Sequence, residues 1–263
     1  MLGDSLVALL SQPLWVFMTI LARITPSLML TPPMNSAGVP VRVRLLLSLC
    51  LAALLSPVAS DSATPIPGDL FHIAIAMAGE ILLGILLGSI ILLAVACLQI
   101  AGQSVGHLAG LDFATSVDPA SDQEMPVISN LLGLLAMAFL LIVGGHRPLM
   151  QCAMDSLARY PAGAVVFESF WLEELEGILR HTFDVGVRAA APIAIALLLS
   201  NIVTGLLART LPQLNILSIG FNLNILALLV VMTVGLGSVV WAFQSELSIW
   251  LDSCHRIVAA ESS

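Results

Sequence analysis

Four charged residues lie inside long apolar stretches, and their chemistry is the first feature of this sequence to explain. They are Arg23, Glu80, Asp184 and Arg188. A charge placed in hydrocarbon costs at least about 2.5–3.5 kcal/mol on insertion scales, so each side chain should face protein or water. Glu80 has no partner nearby in the sequence, and Arg23 is a candidate partner from another helix.

Arg180, Asp184 and Arg188 follow one another at intervals of four residues. On a helix this spacing places them on one face, where the two arginines and the aspartate neutralise one another in part. One interpretation is a structural ion pair between packed helices. The other is a face that lines an aqueous path or a subunit interface. Glu80 and Asp184 also allow an alternative function, an ion- or proton-coupled small-molecule transporter, although no internal repeat is visible.

Motifs for catalysis and cofactor binding are weak. Residues 102–106 match the G-x-S-x-G pattern, but that motif needs a strand–turn–helix context that the end of an apolar helix does not provide. No H-E-x-x-H, P-loop or C-x-x-C motif is present. The four cysteines are widely separated, which is typical of small buried hydrophobic residues rather than of a metal site. We therefore expect no enzyme activity, no cofactor and no metal.

The amino-acid composition indicates that much of the surface of this protein contacts lipid. Of its 263 residues, 59% are hydrophobic and only 10% are charged, whereas an average soluble domain is about 25% charged. The net charge of −8 argues against nucleic acid as a partner. Long apolar runs without two-residue alternation predict helices rather than barrel strands. The sequence predicts an all-α integral membrane protein that contacts lipid.

About six long apolar helices can be drawn, several of them near the roughly 20 residues that a helix needs to cross a bilayer. Gly-, Pro- and Ser-rich connections separate them. The predicted segments are Leu6–Leu30, Leu45–Ala59, Ile73–Ile100, Val127–Val143, Ile178–Leu207 and Ile216–Trp250.

Several short motifs, in their order along nearly the whole chain, resemble the FliR family, the R/T-type subunit of the type III export gate. The most specific is the run from Arg209 to Phe221, RTLPQLNILSIGF. The others are Gly38-Val39-Pro40 with Arg42 and Arg44, Gly79-Glu80, Ala101-Gly102-Gln103, Asp118-Pro119, Gly144-Gly145-His146, Ser156, Pro161-x-Gly163 and Pro192.

The resemblance implies a non-enzymatic role in protein export. Family members co-assemble with FliP-like and FliQ-like subunits into a helical gate for unfolded export substrates. FlhB-like and FlhA-like export proteins are further expected partners. The implied location is the bacterial inner membrane, at the flagellar basal body or the injectisome base, and the flagellar system is favoured.

The resemblance also divides the chain into two regions. Residues 1–170 resemble a P-like unit, and residues 171–263 resemble a Q-like helical hairpin with its tip near residues 206–221. In the family, the loop that corresponds to residues 108–124 seals the closed pore. The expected plug residues are Leu111, Phe113, Asp118 and Pro119, and the expected tip residues are Arg209, Pro212, Gln213 and Asn215. Pro212 would break a continuous helix, which suits a hairpin tip.

Overall fold

The described part of the computed structural model is helical throughout, and it covers residues 2–32, 34–35, 38–60, 62–111, 127–210 and 216–259. The predicted all-α membrane fold is confirmed. The described residues form seven helices rather than about six: α1 Leu2–Leu30, α2 Val41–Ala59, α3 Leu70–Ala109, α4 Val127–Ile142, α5 His146–Arg159, α6 Ser169–Thr210 and α7 Ile216–Ala259. The additional helix is α5, which apolar patterning does not reveal because its sequence is polar.

Four of these helices are long and apolar enough to cross a membrane: Ser11–Leu30 of α1, α2, α3 and Ser169–Leu207 of α6. A fifth candidate is the bent pair Asn222–Gly235 and Val239–Val258 of α7, whose two parts meet at 52°. Helix α4 has only 16 residues, about 24 Å of helix against roughly 30 Å of hydrocarbon. The six apolar segments are therefore not six equivalent spans.

The contacts divide the chain into two compact units. The first contains Met1–Leu93, Gly144–Ile178 and Ile249–Ser263. Its hydrophobic core joins one face of α1 to α2, α5 and the turn after α5. The buried members of this core are Val16, Ile20, Ile24, Ala52, Ala59, Leu157 and Ala162. Near the end of the chain, Arg256 Nη2 donates to Glu174 Oε1 at 2.6 Å and ties α7 to the start of α6.

The second unit contains Ala94–Val143 and Leu179–Ser248. Here α3 and α4 approach closely, and Ser129 Oγ donates to the Gln99 carbonyl oxygen at 2.8 Å. Helices α6 and α7 form a hairpin that a polar cluster joins. Ser200 Oγ donates to Asn224 Oδ1 at 2.7 Å, and Asn224 Nδ2 donates to Asn201 Oδ1 at 2.7 Å. These bonds fix the register of the two helices, because side-chain amides in apolar surroundings must find partners.

Close packing of α1 on α3 in the first unit requires a glycine. A Cβ at Gly84 would overlap the carbonyl oxygen of Arg23, which is backbone and cannot move aside alone. Small residues at such points let two helix backbones approach. Gly177 of α6 lies in the same unit, and a Cβ there would meet nothing within 4 Å.

We expect Gly84→Ala to destabilise the protein, because the methyl group forces α1 away from α3. Overpacking typically costs about 1–3 kcal/mol, or a fall in Tm of roughly 2–12 °C for a chain of this size. Thermal unfolding of the detergent-solubilised protein measures the effect. The matched control is Gly177→Ala, which should leave Tm unchanged or raise it, since alanine is the better helix former. Equal melting of Gly84→Ala and the parent would contradict the assigned packing.

Candidate functional site: a buried arginine–glutamate centre

Arg23 of α1 and Glu80 of α3 meet inside the first unit. Arg23 Nε donates to Glu80 Oε2 at 2.6 Å, and the two residues are 1% and 0% exposed. The structure thus brings together two residues that are separated by 57 positions in the sequence. Burial of both charges is tolerable only when each is paired and its remaining polar atoms are hydrogen-bonded.

The rest of the Arg23 guanidinium binds the end of α5. Its Nη1 donates to the Ser156 carbonyl oxygen at 2.7 Å and to Ser156 Oγ at 3.2 Å. Its Nη2 donates to the Tyr160 carbonyl oxygen at 2.8 Å. The Ser156 carbonyl oxygen also accepts from the Tyr160 N–H at 2.9 Å. Carbonyls at the end of a helix carry partial negative charge, so a cation there is favourable. Arg23 therefore caps α5 while it pairs with Glu80.

The second carboxylate oxygen of Glu80 holds the turn after α5. The backbone N–H of Gly163 donates to Glu80 Oε1 at 2.8 Å. Gly163 has φ of 84°, a conformation that favours glycine. A Cβ at this position would also lie 2.5 Å from Thr64 Oγ1. The carboxylate thus bridges α1 and the turn, and both of its oxygens are engaged.

A second layer of hydrogen bonds surrounds this centre. Thr64 N and Thr64 Oγ1 both donate to the Ala162 carbonyl oxygen, at 3.1 and 2.9 Å. Gln12 Nε2 donates to the Thr64 carbonyl oxygen at 2.9 Å. The Tyr160 hydroxyl donates to Glu168 Oε1 at 3.1 Å, and burial raises the pKa of this phenol above its usual value of 10. Tyr160 consequently stays a neutral donor across the physiological pH range.

The arrangement can hold helices together but offers nothing to a substrate. Arginine stays protonated in proteins, and its planar fork suits simultaneous contacts to a carboxylate and to carbonyl oxygens. We name this set the arginine–glutamate centre: Arg23, Glu80, Ser156, Tyr160 and Gly163. It joins α1, α3, α5 and the turn after α5 at a single buried point.

The predicted ladder on α6 lies in the second unit. Arg188 Nη2 and Asp184 Oδ2 are 2.5 Å apart, and their side chains are 68% and 48% exposed. This pair is therefore on the surface of the chain. Arg180 belongs to the same helix and has interactions of its own. Of the five intramembrane polar or packing positions, the structure pairs Arg23 with Glu80 and Arg188 with Asp184.

The predicted plug and hairpin tip fall mainly outside the described residues. Leu111 lies two residues after the end of α3, and its N–H donates to the Gly106 carbonyl oxygen at 3.1 Å. Phe113, Asp118 and Pro119 lie in the gap 112–126, and Pro212, Gln213 and Asn215 lie in the gap 211–215. Arg209 occupies the last turn of α6. The tip assignment and the plug assignment remain predictions.

The G-x-S-x-G match lies within α3, which continues to Ala109. Ser104 Oγ donates to the Ile100 carbonyl oxygen at 3.0 Å, an ordinary intrahelical bond. This segment therefore lacks the strand–turn–helix geometry of a nucleophile elbow. All four cysteines are free thiols, and within the described residues no three His, Cys, Asp or Glu side chains cluster as metal ligands.

The sequence analysis did not identify two groups of residues: the partners of Arg23 and Glu80, and the asparagines that join α6 to α7. Tyr160 and Gly163 act through backbone atoms, and Ser156 acts mainly through its carbonyl oxygen, so residue type does not reveal them. Ser156 and Gly163 do appear among the motifs of the family resemblance. Asn201 and Asn224 are single amides within apolar stretches, and their position alone is a signal that polar partners are needed.

We expect Glu80→Leu to lower Tm sharply, because it leaves Arg23 buried without a counter-charge. Breaking one partner of a buried pair typically costs about 3–5 kcal/mol, roughly 6–20 °C for this chain length. Arg23→Met with Glu80→Leu should recover part of that loss, since no charge remains buried. Arg188→Met is the matched control, and this exposed pair should change Tm little. Thermal unfolding in detergent tests all three variants against the parent. Similar melting of Glu80→Leu and Arg188→Met would refute the role of the centre.

Comparison with known proteins places these features in a family. The model of bacterial export proteins, family 1, matches residues 14–249. Flagellar biosynthetic protein FliR of Escherichia coli strain K12 is 33% identical over 211 residues, 80% of this chain and 78% of the relative. The FliR protein of Pectobacterium carotovorum is 32% identical over 231 residues, 86% and 84% of the two chains. That of Caulobacter vibrioides is 25% identical over 244 residues, 93% and 94%.

The family model covers most of the described helices and includes both residues of the buried ion pair. The chain belongs to the bacterial export proteins of family 1, the FliR family.

Proposed function

We propose that this protein is a core subunit of the type III flagellar export gate, where it co-assembles with FliP-like and FliQ-like subunits to form the channel for unfolded export substrates. As a FliR-family protein it is a membrane component of the bacterial flagellar export apparatus and not an enzyme. The proposed site of action is the inner membrane at the flagellar basal body, with FlhB-like and FlhA-like proteins as neighbours.

The exposed apolar surface of α6 carries this proposal. Large hydrophobic side chains are exposed from Leu172, at 57%, to Leu206, at 61%. These positions are 34 residues apart, or about 51 Å along a helix. The hydrocarbon core is only about 30 Å thick, and a tilt near 20° adds about 2 Å. Roughly 20 Å of this helix therefore lies outside the hydrocarbon, and its exposed face there mixes apolar side chains with charges, as expected of a surface that contacts other subunits.

The exposed ion pair within that surface supports the same proposal. Asp184 and Arg188 directly follow Phe183 and Val187, both of which are exposed. Charges on a candidate spanning helix face protein or water rather than lipid. Neighbouring subunits would cover the apolar side chains and provide a polar environment for the pair. A channel subunit would have both kinds of surroundings, apolar contacts with neighbouring subunits and a polar environment for the ion pair.

The division into a P-like region and a Q-like hairpin is part of the proposal. Helices α6 and α7 pack side by side between residues 179 and 248. Hydrogen bonds among Ser200, Asn201 and Asn224 join them. His181 Nε2 and Glu246 Oε2 approach to 3.1 Å farther along the same pair of helices. These contacts support the proposed Q-like hairpin of residues 171–263, whose proposed tip is near residues 206–221.

The transporter alternative depends on titration of Glu80 or Asp184. Glu80 has both oxygens engaged by Arg23 and Gly163 and is completely buried. A carboxylate in this position serves packing better than it serves a proton pathway, because protonation would leave Arg23 without a counter-charge. The geometry favours the subunit over the carrier.

Co-expression with FliP-like and FliQ-like subunits should yield a complex that survives detergent and affinity purification. Asp184→Ala should lower its recovery more than Asp184→Asn, because only asparagine keeps an acceptor for Arg188. Neither change should alter Tm of the isolated chain, since the pair is exposed. Glu173→Ala, at an exposed position of the same helix, is the control. A stable monomer that binds neither partner would overturn the proposed function.

Deletion of residues 113–118 tests the proposed plug at 108–124. The polar backbone of this segment cannot face lipid, so protein or a water-filled cavity must surround it. We expect the variant complex to assemble in normal yield but to conduct ions in planar bilayers, whereas the parent stays closed. An assembled deletion variant as tight as the parent would remove the plug assignment and leave the subunit assignment intact.

A further inference from the structure

The C-terminal end of α3 is capped by a glycine turn. Gly110 has φ of 77°, and its N–H donates to the His107 carbonyl oxygen at 3.1 Å. The Leu111 N–H donates to the Gly106 carbonyl oxygen at 3.1 Å. This pair of bonds is the Schellman motif, in which a residue of positive φ turns the chain back over the last carbonyl groups of the helix. The motif uses the carbonyl oxygens of Gly106 and His107 and leaves that of Leu108 open to a donor from another helix.

The donor to Leu108 comes from the hairpin of α6 and α7. Asn201 Nδ2 of α6 donates to the Leu108 carbonyl oxygen at 3.4 Å. The two residues are 93 positions apart in the sequence and lie in the same compact unit. Asn201 belongs to a candidate membrane span, and its neighbours Leu198 and Ile202 are exposed apolar side chains. A side-chain amide in apolar surroundings must find a polar partner, and here that partner is the end of another helix.

The bond to Leu108 is the last of three hydrogen bonds that run in one direction. Ser200 Oγ donates to Asn224 Oδ1, and Asn224 Nδ2 donates to Asn201 Oδ1. Asn201 Nδ2 then donates to Leu108. Because a carbonyl oxygen can only accept, Leu108 determines the orientation of the Asn201 amide. The oxygen of that amide needs a donor, which Asn224 supplies with its nitrogen while its own oxygen accepts from Ser200. Each amide is therefore oriented by the next member of the series.

The hairpin itself needs only the first two of these bonds. Ser200 and Asn224 are 9% and 8% exposed, and their bonds with each other and with Asn201 join α6 to α7. One turn farther along both helices, a Cβ at Gly220 would lie 2.8 Å from Thr204 Cγ2, so the two helices pack closely there as well. The third bond leaves the hairpin and holds the last turn of α3 instead.

We propose that Asn201 is a positioning residue for closure of the channel, because it holds the C-terminal turn of α3 on the α6–α7 hairpin and so fixes the point at which residues 108–124 begin. Asn224 and Ser200 orient the Asn201 amide for this contact. The role in closure rests on the proposed function, whereas the anchoring of α3 does not. A movement of the hairpin away from α3 would break the bond to Leu108 and release this turn.

Hydrogen exchange of the isolated full chain in detergent tests the anchoring. Asn201→Asp keeps an acceptor for Asn224 and removes the donor to Leu108, whereas Asn201→Ala removes both. We expect either change to speed exchange of the Gly110 and Leu111 N–H groups by roughly 2- to 10-fold, the factor that corresponds to loss of one hydrogen bond. Exchange at the rate of the parent in both variants would overturn the proposal.

Two further variants separate this bond from general loosening of the hairpin. Asn222→Ala is the matched control, since it removes an exposed asparagine of α7 two residues from Asn224, and it should leave exchange at the end of α3 unchanged. Ser200→Ala removes the bond farthest from α3 and should speed this exchange less than Asn201→Ala does. An equal effect of Asn222→Ala and Asn201→Ala would contradict a specific contact with Leu108.

Conductance of the complex in planar bilayers tests the consequence for closure. Co-expressed with FliP-like and FliQ-like subunits, Asn201→Asp and Asn201→Ala should assemble in the yield of the parent and conduct ions. Asn222→Ala and the parent should stay closed. A purely structural role of Asn201 would lower assembly without opening the assembled channel, and that result would overturn the proposal. So would an Asn201→Ala complex that exchanges faster at α3 but stays as tight as the parent.

The two measurements also distinguish this inference from the proposed function. If the parent itself forms no complex with FliP-like and FliQ-like subunits, the proposed function fails, and with it the role in closure. The exchange rates of the isolated chain then still decide whether Asn201 anchors the end of α3. If the parent assembles and Asn201→Ala changes neither exchange nor conductance, only the role of Asn201 is refuted.

Discussion

The buried contact between Arg23 and Glu80 is the interaction on which the first unit depends. It places a full positive and a full negative charge where water does not reach, and every remaining polar atom of the pair then needs a partner. Ser156, Tyr160 and Gly163 provide those partners through backbone groups. One ion pair thereby determines where three helices and a turn must meet. Gly84 permits this meeting because it lets the backbone of α3 touch that of α1 beside Arg23.

In the second unit, too, buried polar atoms need hydrogen-bond partners, but the groups are neutral. Its α6–α7 hairpin is joined by hydroxyl and amide side chains rather than by buried charges. Glu246 of this unit is half-buried against His181, whereas Asp184 and Arg188 are paired but exposed. The difference matters for assembly. A buried pair stabilises one chain, whereas an exposed pair on an apolar helix remains available for contacts between chains.

The sequence was sufficient for the membrane class, the helical fold and the family, because apolar length and motif order are properties of sequence alone. It also identified Arg23 and Glu80, since a charge in an apolar segment is conspicuous. It did not reveal α5, whose polar helix lacks an apolar stripe long enough to stand out. The ligands of Arg23 were equally hidden, because Ser156 and Tyr160 contribute carbonyl oxygens that any residue would carry. Contacts through the backbone depend on the fold and cannot be read from residue type.

The distance along the chain between Arg23 and its ligands has a consequence for biogenesis. Glu80 is made 57 residues after Arg23, and the Tyr160 carbonyl 137 residues after it. At a synthesis rate of about 5–20 residues per second, roughly 7–27 s pass before the last ligand exists. During this time α1 carries an arginine without its full set of partners, which makes it a poor segment for direct release into lipid. Release of the first helix into lipid before the fifth has been synthesised would therefore cost free energy, which favours a coupling in time between membrane insertion and folding.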